Sequence, residues 1–294
     1  MLHPTPESPE ALESPACESP ALVAVVVTWN SATEIGDCLR ALAASTPPPV
    51  HVIVVDNASA DGTVTAVSAV YPTAEVLALG RNHHFAYAAN VALARALALG
   101  AAEVLVLNPD ATLAPDALAE MRRVLTSAPD LGLVGARLEH PARPGHPARV
   151  IVGATCDFAT GAVREPPPPA DPALDRLEVD YVWGCALLVR AAVLRQIGAF
   201  DARLVAYYED ADLCLRARAA GWRTVTALRA RVTHLGSTAG DRRYLQQLWL
   251  RGRNWLIVFL RHAPPRQRAG LLIRMLGYQL PLFAWAALKR AISD

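Results

Sequence analysis

The chain has 294 residues, of which 53% are hydrophobic and 19% charged, and its net charge is +1. That apolar fraction supplies a sizeable core and excludes general disorder, and the length suits one large domain or a domain with an appendage. A charge so close to zero removes the global electrostatic case for a nucleic-acid partner.

Residues 1–21 are rich in Pro, Glu and Ser, with neither a basic n-region nor an apolar h-region, and are expected to form a disordered leader. From Leu22 to Thr126 strand and helix patterns alternate. Leu22–Thr28 is a β-branched apolar run of strand length. Thr33–Ala44 has helical spacing, with Ile35, Leu39 and Leu42 on one face. Val50–Val55 predicts a second strand ending at Asp56, and Ser59–Val70 a helix. Ala74–Leu79 is a third strand, Phe85–Leu99 an alanine-rich helix and Glu103–Leu107 a fourth strand. Pro115 stands near the start of another helix, where proline is tolerated.

Apolar strands alternating with helices imply an α/β fold, a mainly parallel central sheet covered on both faces. Ligands of such sheets bind beyond the carboxyl ends of the strands. Those ends carry Thr28-Trp29-Asn30, Asp56-Asn57, Gly80-Arg81-Asn82 and Asn108-Pro109-Asp110, all polar. The middle is looser: 139–149 and the proline-rich 165–175 read as surface loops, Val179–Arg190 as a strand-like segment followed by a short helix to Ile197. Trp222–Ala227 and Ala230–His234 read as two short strands.

Between these lies Tyr207-Tyr208-Glu209-Asp210-Ala211-Asp212, three carboxylates within four positions, running into an apolar helical segment. Carboxylates this close raise one another's proton affinity, so a proton-accepting group can be tuned there. A solvated acidic loop is the competing reading of an isolated cluster. Asp212 is placed to tether the following helix, with Arg216 as its i,i+4 partner.

The tail, 241–294, is helical in pattern, aromatic and basic. It fits an interfacial helix on an anionic membrane, or a helical hairpin packed on the preceding domain or on a second subunit of a homodimer. Its last apolar run, Leu276–Leu288, holds Gln279 and Pro281 and is too short for a span of about 20 residues. Five cysteines at 17, 38, 156, 185 and 214, without a CxxC pair, read as reduced, mostly buried thiols in a cytoplasmic protein.

The ordered set Val26-Val27-Thr28-Trp29-Asn30, Val54-Val55-Asp56-Asn57-Ala58-Ser59-Ala60-Asp61-Gly62-Thr63, Asn108-Pro109-Asp110 and Glu209-Asp210-Ala211-Asp212-Leu213-Cys214-Leu215-Arg216 resembles glycosyltransferase family 2, in the order and spacing of its rhamnosyltransferase-type members. The resemblance covers roughly 22–240. It implies a GT-A fold, a nucleotide-diphospho-sugar donor, a glycan or lipid-linked acceptor and inversion at the anomeric carbon. It further implies that Asp56 and Asn57 contact the nucleobase, and that Thr28 and Asn30 contact base or ribose. Asp110, the last position of a DxD-like motif whose first position here is Asn108, would hold Mg²⁺ or Mn²⁺ with diphosphate and water. His234 would join the metal or diphosphate.

Asp210 is the candidate general base for the acceptor hydroxyl, and Glu209 would orient it or bind the acceptor. The segment from Arg81 to Asn90 resembles the stretch the family lays against the sugar nucleotide, making Arg81, Asn82, Phe85 and Asn90 candidates. His84 stands where the family usually has glycine. Trp183 and Gly184 match an acceptor-side segment, with core packing the other reading of Trp183.

No GxGxxG follows the first strand, which disfavours a dinucleotide oxidoreductase. A sugar nucleotidyltransferase lacks its Gly-rich, lysine-containing signature here. Processive synthases of the family carry Gln-x-x-Arg-Trp, whereas this chain has Gln246-Gln247-Leu248-Trp249-Leu250-Arg251. Transfer of one sugar or a few is therefore expected, by a protein in the cytoplasm or peripheral on the inner face of its membrane. A catalytically inactive sugar-binding protein of the same fold is the reading from a different class.

Overall fold

The computed structural model describes residues 22–143, 147–236, 244–274 and Gly277. The leader and most of the last apolar run thus lie outside the described residues. In chain order the elements are β1 (Leu22–Thr28), α1 (Ile35–Ala43), β2 (His51–Asp56), α2 (Thr63–Val70), β3 (Glu75–Ala78), α3 (His84–Ala98), β4 (Glu103–Leu107), β5 (Ala111–Leu113) and α4 (Ala117–Thr126). They continue with β6 (Leu131–His140), β7 (Arg149–Ile151), β8 (Thr155–Asp157), β9 (Ala162–Arg164), β10 (Arg176–Glu178), β11 (Ala186–Arg190) and α5 (Ala191–Ile197). After a single 3₁₀ turn (Ala202–Leu204) come α6 (Glu209–Ala219), β12 (Arg223–His234), α7 (Tyr244–His262) and α8 (Pro265–Arg274).

The central sheet runs β10-β12-β6-β11-β4-β1-β2-β3, with β5 and β7 attached to β12 and β6. Strands β3, β2, β1 and β4 pair in parallel, as do β6 and β12, and β11 lies antiparallel between β4 and β6. The expected α/β, mainly parallel architecture is the one observed. Every residue of β1 is buried, because successive side chains enter two different cores. Leu22, Ala24 and Val26 meet Ile35, Leu39 and Leu42 of α1 and Leu118 and Met121 of α4. Val23, Val25 and Val27 meet the alanine face of α3, with Leu93, and Leu213 and Ala217 of α6. Each fully buried Val or Leu contributes about 1.5–3 kcal/mol by leaving water.

Several segments differ from their sequence readings; the short strands β5 and β7 to β10 are absent from those readings, and 139–149 includes the end of β6 and the start of β7. Strand β6 has no counterpart among the sequence-read elements, since Gly132 and Gly135 dilute its apolar run. A Cβ at Gly135 would come within 2.5 Å of Val182, so the loop crossing the sheet there requires glycine. Within Val179–Arg190 only Ala186–Arg190 forms a strand. The two short strands near the end are one, β12, whose register shifts between Ala227 and Arg231.

Helix α7 packs against the body of the protein. Its Trp255 and Phe259 stack at 5.0 Å and bury themselves with Phe158, Val163 and Tyr208. The Trp255 indole donates to the Gly161 carbonyl at 2.9 Å. Asp212, fully buried on α6, accepts from Arg216 at 2.7 Å as its spacing predicts, and also from Arg261 of α7 at 2.6 Å, with His262 at 3.0 Å. Cys38, Cys185 and Cys214 are buried and, with half-buried Cys156, are free thiols, as expected from their spacing. No helix among the described residues is long and apolar enough to cross a membrane.

Candidate active site

The carboxyl ends of β1, β2 and β4 open on a cleft of about 620 Å³. One part of it is lined by Thr28, Trp29, Asn30, Asn57, Asn82 and Phe85, five of which are candidates from sequence. The polar strand tips are held by one another. Asn30, at φ 51°, donates its backbone N–H to Ser59 Oγ at 2.8 Å and accepts at Oδ1 from Ala60 N–H at 2.8 Å. Asp61 accepts from Ala32 N–H at 3.0 Å and from the Thr63 hydroxyl, and Thr63 in turn accepts from Ser31 N–H at 2.9 Å. The Asp61-Gly62-Thr63 part of the motif is thus a clasp that fixes the loop after β1. The helix that follows this opening segment starts at Thr63.

Asp56 is buried at the end of β2. Its Oδ1 accepts from Thr28 Oγ1 at 3.2 Å and its Oδ2 from Ser59 N–H at 3.0 Å. Asn57 spans to the next loop, donating to the His84 carbonyl at 3.1 Å and accepting from His83 N–H at 2.8 Å. His84 itself lines the cleft at φ 64°, in the left-handed region that glycine enters without steric cost. The position where this chain departs from the family's glycine therefore carries backbone strain. Asp56, Arg81 and Asn90 are not among the residues that line the cleft. Asn90 instead clamps Phe200, donating to its carbonyl at 2.8 Å and accepting from its N–H at 3.0 Å. Arg81 is exposed and contacts His83 at 3.4 Å.

Asn108, Asp110 and His234 meet at the floor of the cleft, although 126 residues separate the outer two contacts' partners Asn108 and His234. Asp110 Oδ1 lies 3.2 Å from His234 Nε2, and Asn108 Nδ2 lies 3.5 Å from the same nitrogen. Burial disfavours charge on both partners, but their mutual contact wins. It raises the imidazole to about 10, assisted by Cys185, and holds the Asp110 carboxyl below its ordinary range. His234 Nδ1 is buried without a hydrogen-bond partner. Among the described residues, no three His, Cys, Asp or Glu side chains are arranged around a metal position.

Asp210 begins α6 beside Gly184. Its Oδ2 accepts from Gly184 N–H at 2.9 Å and its Oδ1 from Ala211 N–H at 2.8 Å. A Cβ on Gly184 would sit 3.5 Å from Asp210 Cβ and 4.0 Å from Phe85, so Asp210, Gly184 and the cleft-lining Phe85 form one cluster. Burial pushes the Asp210 carboxyl up against these hydrogen bonds. Glu209 is raised well above the usual carboxylate range, first by burial and then by Asp210, and its Oε2 has no hydrogen-bond partner. Of the other acceptor-side candidate, Trp183, the indole is half-buried and packs on Tyr181 at 5.3 Å, touching both cores.

Among the lining residues not singled out from sequence as site residues are Tyr207 and Gln247. Tyr207 flanks the acidic cluster, which was the available signal. Gln247 reaches the cleft only because α7 folds back, a placement with no local signature. A second cavity, of about 260 Å³, lies along β10 and β12, where Arg218 pairs with Asp180 and Arg223 with Glu178.

The chain is 31% identical over 231 residues to the N-acetylglucosaminyl-diphospho-decaprenol L-rhamnosyltransferase of Mycobacterium tuberculosis, covering 72% of this chain and 75% of that protein. In fold it is similar to GalNAc-T7 solved with UDP, GalNAc and Mn²⁺ (TM-score 0.64, 10% identity, 82% of this chain and 48% of that one, so about half its length). It is also similar to the mannosyltransferase PcManGT of Pyrobaculum calidifontis with GDP-Man and Mn²⁺ (TM-score 0.58, 20% identity, 95% and 77% covered). The pattern described as "Glycosyltransferase like family 2" matches residues 20–255, which takes in β1 through most of α7. The family match over most of the chain and the 31% identical relative show that this chain belongs to glycosyltransferase family 2 and is a glycosyltransferase, with the GT-A fold of its structural neighbours.

Proposed function

We propose that the enzyme transfers a single rhamnose, with inversion, from a nucleotide-diphospho-sugar to a hydroxyl of a lipid-linked diphospho-glycan at the cytoplasmic face of a membrane. The observation that carries this reading is one cleft lined by polar strand tips, the Asp110–His234 pair and Phe85, with Gly184 and Asp210 clustered against Phe85. The rhamnosyl and lipid-diphosphate assignments rest on the mycobacterial relative.

The acceptor oxygen forms a bond to the anomeric carbon as the bond from that carbon to the diphosphate oxygen breaks. The electron pair leaves with the diphosphate, and the hydroxyl proton passes to Asp210. The raised proton affinity of that carboxylate suits it to take the proton. A single base and no covalent sugar intermediate give inversion. Thr28, Asn30 and Asn57 would position the nucleoside, and Asn82 and Phe85 the sugar side of the donor.

The donor set of Asp110 oxygen and His234 nitrogen, with Asn108 adjacent, fits Mg²⁺ or Mn²⁺ completed by diphosphate and water. A divalent ion bound there would neutralise charge on the leaving diphosphate. His234 must give up its proton to ligate, so ion binding should weaken as pH falls. The reading is tested by incubating the protein with an N-acetylglucosaminyl-diphospho-lipid and a panel of nucleotide-diphospho-sugars, with Mn²⁺ or with EDTA. Rhamnose transfer that EDTA abolishes is expected. Asp110→Ala should weaken the Mn²⁺ titration at least about 100-fold, since even outer-shell partners of a metal cost about 10–100-fold. Transfer indifferent to both EDTA and Asp110→Ala would remove the metal from the proposal.

The membrane part rests on α7 and α8. From Arg242 to Ser293 the chain carries ten Arg or Lys and no Asp or Glu. Trp249 and Ile273, on these helices, are 62% and 71% exposed. Each basic residue near an anionic surface contributes about 1 kcal/mol. The Trp249→Ser, Ile273→Ser double variant should sediment less with anionic vesicles than the parent does. Undiminished sedimentation, or equal binding to zwitterionic vesicles, would count against membrane contact through this face.

A further inference from the structure

The segment that leads into the catalytic helix has an unusual backbone. Val205, Tyr207 and Tyr208 all have positive φ, at 65°, 70° and 67°, although none is glycine. β-Branched and aromatic residues hold this conformation only where their surroundings impose it. The segment is also central to the site. Ala206 and Tyr207 line the cleft, and the Val205 carbonyl accepts from Ala86 N–H of α3 at 3.3 Å. Tyr208 is the residue before α6 and offers that helix no side-chain cap. The direction in which α6 leaves, and so the place of Asp210, depends on whatever holds residues 204–208.

What holds them is Asn254 of α7. Its side chain is fully buried, and its amide nitrogen lies 2.5, 2.8 and 2.9 Å from the carbonyl oxygens of Leu204, Ala206 and Tyr207. Two N–H groups are thus shared among three carbonyls. The amide is itself oriented, because Oδ1 accepts from Arg253 Nη1 at 2.8 Å, and Arg253 also donates to the Arg203 carbonyl at 3.1 Å. Docking of α7 does not depend on this contact. It already has Trp255, Phe259 and the ion pairs of Arg261 and His262 with Asp212.

We propose that Asn254 is a positioning residue for the transfer step: by clamping the strained 204–208 backbone it sets the direction from which α6 presents Asp210 to the acceptor hydroxyl. This rests on Asp210 being the base. The groups that face Asp210 are Tyr181, Tyr208 and Cys214, all raised by burial and therefore neutral over the working range, with Cys156 and Arg251 acting on Tyr208. The acid limb of the rate profile consequently reports the carboxylate pair.

Asn254→Asp keeps the shape and removes the donor, and Arg253→Met frees the amide from a half-exposed position. Both should lower kcat for transfer, Asn254→Asp on the order of 10- to 100-fold, while the donor KM stays within about twofold. The acid limb should move to lower pH as water reaches the loosened carboxylates. Unchanged kcat in both variants would overturn the proposal, as would activity lost only in proportion to folded protein with the limb unmoved. Asp210→Asn is run alongside. Full turnover there would overturn the base assignment itself, whereas an inactive Asp210→Asn beside a normal Asn254→Asp would overturn only the positioning role.

Discussion

Asp210→Asn should reduce transfer by roughly 10²–10⁴-fold, the usual contribution of a positioned base, with donor affinity unchanged. The substitution is close to isosteric, and Asp210 is not among the residues that line the cleft. An amide oxygen can still accept from Gly184 N–H or Ala211 N–H, so the local frame is largely kept. What is lost is the ability to take a proton. The pH profile carries the same information with a definite sign. Burial raises both Glu209 and Asp210, and the base must be ionised to act, so activity should be low at acid pH and climb as the pair deprotonates. Its acid limb should lie above the ordinary carboxylate value of about 4. Stability runs the other way. The folded pair binds more protons than the unfolded chain does, so its contribution is fully present below ordinary carboxylate values and is lost as pH rises through the raised ones. Initial rates against pH and urea midpoints against pH would measure the two trends. Wild-type turnover by the Asn variant, or an acid limb near 4, would refute the assignment.

Asp212→Ala should cost about 3–5 kcal/mol of stability, the penalty for removing one member of a buried charge network. Asp212 is fully buried and balances Arg216, Arg261 and His262 at once. Without it, Arg216 keeps only the Ile197 and Ala199 carbonyls, and Arg261 keeps only Asp201. At about 2–4 °C per kcal/mol for a chain of this size class, thermal unfolding should fall by roughly 6–20 °C. A shift under about 2 °C would mean that α7 is held mainly by Trp255 and Phe259. The same geometry bears on truncation. Cutting the chain after residue 243 removes Arg261 and His262 from Asp212, the clamp Asn254 and the cleft residue Gln247 together, so such a protein should unfold more readily and lose transfer.

Legibility from sequence followed the range of the forces involved. The limits of β1, β2 and β4 were readable to within a residue or so because strands buried on both faces write an unbroken apolar run. Strand β6 was not, because its glycines answer to Val182, a contact from a distant loop. Phe85, Thr28, Asn30, Asn57, Asn108, Asp110 and His234 were picked from their motifs, and the fold brings all of them to one cleft. Asn90 was picked in the same way, but its amide is committed to Phe200, 110 residues away. Asp212 and Arg216 were paired by helical spacing, while Arg261 and His262 entered only through folding.

Sequence by itself determined the alternating strands and helices, the polar strand tips and the crowded carboxylates, all properties of neighbours along the chain and of a period of two or 3.6 residues. Tertiary structure alone decided which carboxylate faces Gly184, which one anchors α7, and that α7 folds back to bring Gln247 to the cleft. These outcomes turn on burial and on hydrogen bonds between residues tens to more than a hundred positions apart, and no local pattern records which distant partner will satisfy a buried polar group.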